Sequence, residues 1–133
     1  MSVLNVDIYK TALTIIAQKI DSTDIEDYEE RAPYLIASFC NTVKKIDANI
    51  RRAKKLDAQT KFSPAFLALD ATFPLIDELV SAASLYVAAM LVIDEDEALS
   101  DSIYDKYCDA ISTIMAESAC SESTSIVDIY DFD

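Results

Sequence analysis

The chain contains no glycine, no histidine and no tryptophan, although 133 residues at average usage would carry about nine glycines. Without glycine there is no phosphate-cradling Gly loop, no dinucleotide fingerprint and no nucleophile elbow. Without histidine there is no Ser-His-Asp or Cys-His pair and no imidazole metal site. The same lack of glycine disfavours an all-β fold, because tight hairpins need residues at positive φ that glycine supplies at least cost. Cysteine is scarce as well. Cys40, Cys108 and Cys120 are an odd number without CxxC spacing, so they read as reduced thiols, Cys40 and Cys108 as small core residues, and not as a disulfide or zinc framework.

Long apolar runs are also missing. The longest uncharged stretch, residues 79–93, has 15 residues with acids at both ends, whereas a membrane span needs about 20. The first ten residues, MSVLNVDIYK, lack the basic start and apolar core of a secretory signal, which predicts a protein made and kept in a cytoplasm. Basic residues number 11 against 24 acidic ones, for a net charge of −13. Hydrophobic residues still make up 52%, the composition of a folded globule.

What is present has helical spacing. Tyr9, Ala12, Leu13, Ile16 and Ile20 predict a first helix over residues 5–20 with Asn5 as its cap. Thr23 and Glu26 have capping-box spacing. Pro33 fits the first turn of a second helix over 32–46, with Tyr34, Leu35, Phe39 and Val43 as its buried stripe. Residues 62–75 carry Pro64 and Pro74 among Phe62, Phe66, Leu67, Leu69 and Phe73, which predicts an extended connection anchored to the core. The uncharged run predicts a central helix over 76–93, with Asp77 and Glu78 where the helix dipole favours acids. A fourth helix is expected over 99–116, capped by Ser100, with Ile103, Tyr107, Ile111 and Ile114 facing inward and Asp101, Asp105 and Asp109 on a solvated face. The fold class is thus all-α: a compact bundle of about four main helices in a domain over 1–117, with an extended Pro-containing connection. A flexible acidic C-terminal tail, 118–133, follows. Within it Ile126, Val127, Ile129 and Tyr130 form a short β-prone patch, either a docking strand for a partner or part of a disordered tail.

Charge is unevenly spread. Residues 41–61 sum to +5 and residues 94–133 to −11. Such opposite patches suit head-to-tail association between copies, or they neutralise each other within one molecule. The interface candidates are Lys44, Lys45, Arg51, Arg52, Lys54 and Lys55 against Asp94, Glu95, Asp96 and Glu97 of a neighbour. Residues 94–105 fail as an EF-hand loop, since Leu99 stands where glycine is needed and Asp105 at the twelfth position is the shorter carboxylate. No carboxylate pair is marked for acid–base work, so neither a catalytic residue, a metal nor a cofactor is expected. The basic segment has no interleaved aromatics, which argues against direct nucleic-acid binding.

Four stretches, APYLIASFCN at 32–41, FPL at 73–75, YVAAMLVIDE at 86–95 and YDKYCD at 104–109, resemble small helical head-tail connector (adaptor, head-completion) proteins of tailed phages and prophages of Gram-positive bacteria. The likeness is one of apolar and aromatic positions over about two-thirds of the chain. It implies a non-enzymatic structural protein that forms or joins a ring at the portal, with portal and tail-side proteins and further copies of itself as partners. Its expected location is the host cytoplasm during assembly and then the virion. The acidic composition alone offers an alternative, a small regulatory adaptor or DNA mimic that binds a basic protein partner.

Overall fold

A computed structural model describes residues 2–17, 25–57 and 64–130, the last of these in backbone only beyond residue 117. Four α-helices follow one another: α1 (Asn5–Ala17), α2 (Ile25–Ala53), α3 (Val80–Val92), entered through a 3-10 turn at Asp77–Leu79, and α4 (Glu97–Tyr130). This is the all-α bundle the composition predicts. The extended pairing among the described residues is a single bridge between Leu4 and Thr72.

α3 is the centre of the bundle and packs on each of the other three helices. Its alanines (82, 83, 88, 89) with Val87, Leu91 and Val92 are buried all round, and small side chains there let the neighbouring backbones come close. Burial on every side explains the absence of charge in this stretch. At about 1.5 Å per residue its 13 residues span roughly 20 Å. Among the described residues no helix is long and apolar enough to cross a membrane.

The N-terminus of α1 is closed differently from expectation. Asn5 is not the cap. The Leu4 N–H donates to the Asp7 carboxylate at 3.0 Å, one half of a capping box, while Asn5 is fully buried and donates from Nδ2 to the Ala68 carbonyl at 2.8 Å. The amides of Asn5 and Val6 bond to the carbonyls of Ala71 and Leu69. The orphan donors of α1 thereby fasten the extended connection to the bundle. Phe73 and Leu75 of that connection are core residues, whereas Phe66 is half exposed and does not anchor it as expected.

α2 is longer than the expected 32–46 at both ends, and Pro33 lies inside it instead of in its first turn. Its buried positions, Tyr28, Ala32, Ile36, Phe39, Cys40, Val43, Asp47 and Ile50, recur at three and four residues, a continuous stripe against the core. Tyr34 falls on the opposite side and is 58% exposed, so its place in the predicted stripe is wrong. The N-terminal extension is held by tertiary bonds: Tyr28 Oη donates to the Glu95 carboxylate, and Arg31 donates to the carbonyls of Met90 and Leu91 at the end of α3. The C-terminal extension is held by Asp47. Its Oδ2 accepts from Arg51 Nε at 2.8 Å and its Oδ1 from the Ile76 amide at 2.8 Å.

At the end of α2 the amide of Leu56 bonds to the Arg51 carbonyl and that of Lys55 to the Arg52 carbonyl, with Lys55 at φ 59°. This is a Schellman cap with lysine in the left-handed position that glycine usually fills. Thr23 of the expected capping box lies outside the described residues, as does Phe62.

α4 begins two residues earlier than expected. Its cap is Asp96, whose Oδ1 accepts the Leu99 amide at 3.0 Å. Ser100 is buried and its hydroxyl donates to the Ala89 carbonyl of α3 at 2.8 Å. Ile103 and Tyr107 are in the core with Ile111 and Ile114 packed against it, as the periodicity predicts. The helix runs without a break through residues 118–130. The patch at Ile126, Val127, Ile129 and Tyr130 is therefore helical and not a strand. A lone strand would leave its backbone groups unpaired, whereas a helix pairs them within the segment.

Candidate protein-contact surface

The polar connections that position the surface all run along α2. Tyr28 and Arg31 fix its first turns to the end of α3 and to Glu95, while Asp47 and Arg51 fix its last turns to Ile76 and to the Pro74 carbonyl at the entrance of α3. The two helices are thus antiparallel, and the link between α3 and α4 lies beside the first turns of α2. Glu26, Asp27, Glu29 and Glu30 are exposed on those turns. Together with Asp94, Glu95, Asp96 and Glu97 they make an acidic pole.

The basic candidates lie at the other end. Lys44, Lys45, Arg52, Lys54 and Lys55 are exposed and Arg51 partly so. At 1.5 Å per residue, Lys44 is about 24 Å and Lys54 about 40 Å from Tyr28 along the helix. The Debye length at physiological ionic strength is about 8 Å, so the basic segment and the acidic link do not neutralise each other within one molecule. Several of the candidates have partners inside the chain: Arg51 binds Asp47, and Lys54 Nζ stands 2.6 Å from Glu78. Arg52 donates to the side-chain oxygen of Asn49 at 2.8 Å. On the acidic side, Asp96 caps α4 and Glu95 receives Tyr28, while Asp94, Glu95 and Glu97 are exposed.

The acidic pole also carries a feature that hydrophobic periodicity does not find. Residues 64–67 run alongside α2, held by Asn41 Nδ2 to the Pro64 carbonyl at 2.6 Å and by the Leu67 amide to the Pro33 carbonyl at 3.2 Å. This sets the Phe66 ring edge-on against Tyr34 with centroids 5.1 Å apart. Both rings are at least half exposed, at 50% and 58%. Tyr34 lines two clefts. One, of about 560 Å³, is lined by Glu26, Glu29, Glu30, Pro33, Tyr34 and Phe66; the other, of about 380 Å³, by Tyr34, Ser38, Asn41, Thr42, Pro64 and Ala65. Proline has no N–H to offer the carbonyl four residues back, so the Glu29 carbonyl lacks its usual helical donor. Tyr34 stands on the polar side of the α2 stripe beside buried Pro33, and Pro64 and Phe66 lie in an extended segment; the sequence marks these residues but not their meeting.

Among the described residues, five further aromatic side chains form a structural cluster. Phe39, Phe73, Tyr86, Tyr104 and Tyr107 stack through centroid distances of 5.3 to 6.4 Å, and Tyr86 Oη lies 3.0 Å from the Ser38 hydroxyl. Burial, with the neighbouring Tyr104, Tyr86 and Cys108, pushes the Tyr107 hydroxyl up to about 12. Burial and the charge of Asp47 push the Cys40 thiol up to about 12. Cys108 is exposed, against the expectation of a core residue, because position 108 faces away from the Ile103 and Tyr107 side of α4. Asp101, Asp105 and Asp109 are exposed on α4. Among the described residues no group of three His, Cys, Asp or Glu side chains is placed to hold a metal ion.

Compared with protein-family models, curated proteins and solved structures, the chain matches none.

Proposed function

We propose that the chain is a structural adaptor that associates head to tail, of the kind that connects head and tail in phages and prophages of Gram-positive bacteria. In this reading it catalyses nothing and takes no cofactor. Copies join a ring at the portal and present a surface to tail-side proteins. The observation that carries the reading is the separation of charge into two poles at opposite ends of α2. When the basic end of one copy meets the acidic end of the next the contact is heterologous, and such contacts close into a ring when the rotation between copies permits. The net charge of −13 does not forbid this, because at physiological salt the local poles outweigh distant charges.

The test is an affinity pull-down of the tagged chain from its host, before and after prophage induction, read by mass spectrometry. Recovery of portal, capsid and tail proteins after induction is the expected result. Recovery of a DNA-binding protein that salt or DNA displaces would contradict it and favour an acidic mimic.

A further inference from the structure

We infer that the cleft beside Tyr34 and Phe66 is the seat for the basic end of α2 of a second copy. The inference rests on the head-to-tail reading and gives it an address. The two exposed rings form an apolar wall, and Glu26, Glu29 and Glu30 line the same cleft of about 560 Å³. Such a cleft suits long cationic side chains, whose methylene stems lie on aromatic faces while their heads reach carboxylates.

A matching surface exists on the same chain. Lys45 and Arg52 are exposed seven residues apart, hence on one side of α2, and Lys55 extends the positive end past the helix. Arg51 and Lys54 are ion-paired with Asp47 and Glu78, while Arg52, which also donates to Asn49, is exposed. The link at Asp94, Glu95, Asp96 and Glu97 then contributes to the attraction at the acidic pole but is not the seat itself. Asp96 and Glu95 are engaged within their own chain.

The experiment is sedimentation velocity of the full chain over a concentration series, with helicity checked for each variant by circular dichroism. Glu29→Lys with Glu30→Lys, and separately Lys45→Glu with Arg52→Glu, are each expected to weaken association at least tenfold. An equimolar mixture of the two charge-reversed proteins is expected to restore one contact, because each retains the half the other has lost. Tyr34→Ala and Phe66→Ala are expected to weaken association severalfold at unchanged helicity. Association lost in the Lys45/Arg52 variant but unchanged in the Tyr34, Phe66 and Glu29/Glu30 variants would overturn the seat and leave the head-to-tail reading standing. Association indifferent to every variant, or absent in the unmodified chain, would overturn both.

Discussion

Asp47 has the most consequential environment of any single residue in this chain. Its carboxylate has no solvent exposure, and its two oxygens are divided between Arg51 and the Ile76 amide. Removing the carboxylate strands a guanidinium and a backbone donor together, so Asp47→Ala is expected to cost about 3 kcal/mol in chemical denaturation. A loss near the few tenths typical of surface sites would contradict that role. Cys40 lies within the reach of the same charge. With its thiol pushed up to about 12, it stays protonated at pH 8 and should resist alkylation until the protein unfolds, whereas exposed Cys108 should react in the native state. Peptide mapping after timed alkylation distinguishes the two. Tyr107 sets an alkaline limit. An unfolded tyrosine loses its proton near 10, but in the fold this one keeps it to about 12. Its contribution to stability is complete below pH 10 and is lost as the pH rises towards 12, since there the unfolded state binds fewer protons. Tyr107→Phe should flatten that decline.

At the scale of elements, α2 shows what a chain without glycine must accept. Its Schellman cap places Lys55 at φ 59°, where a Cβ costs roughly 1 kcal/mol. Lys55→Gly is therefore expected to stabilise the bundle by about that amount in urea titration, with the cap hydrogen bonds unchanged. The helices themselves were legible from periodicity, most clearly α3, whose uncharged run left few alternatives to a central position, and the Ile103, Tyr107, Ile111 and Ile114 side of α4. The ends were not. α2 continues past Pro33 because Tyr28 and Arg31 find partners on the far side of the core, 59 to 67 residues away in sequence, and no local pattern announces such bonds. Asn5 and Ser100 looked like caps because both types commonly cap helices, yet Asp7 and Asp96 perform that function. Asn5 and Ser100 instead bond carbonyls across the bundle.

For the whole molecule, the decisive property is where the charges lie. The sequence showed a basic and an acidic segment but not their distance, and it offered neutralisation within the molecule as readily as association between molecules. The antiparallel pairing of α2 with α3 removes the first option for the acidic link at residues 94–97, which it holds at the opposite end of a 29-residue helix from the basic segment. The Tyr34 and Phe66 cleft was beyond reach for the same reason, since it needs residues from two segments brought side by side. Association through such poles should weaken as salt rises to about 1 M, where the Debye length falls to about 3 Å. The most direct test couples amines to carboxylates with a zero-length carbodiimide in a mixture of isotope-labelled and unlabelled chains. The link between Lys54 and Glu78, 2.6 Å apart, is the internal control and should form within one chain. The account predicts mixed-isotope links from Lys44, Lys45 or Lys55 to Glu26, Glu29, Glu30 or residues 94–97; links confined to single chains under conditions where the protein assembles would contradict it.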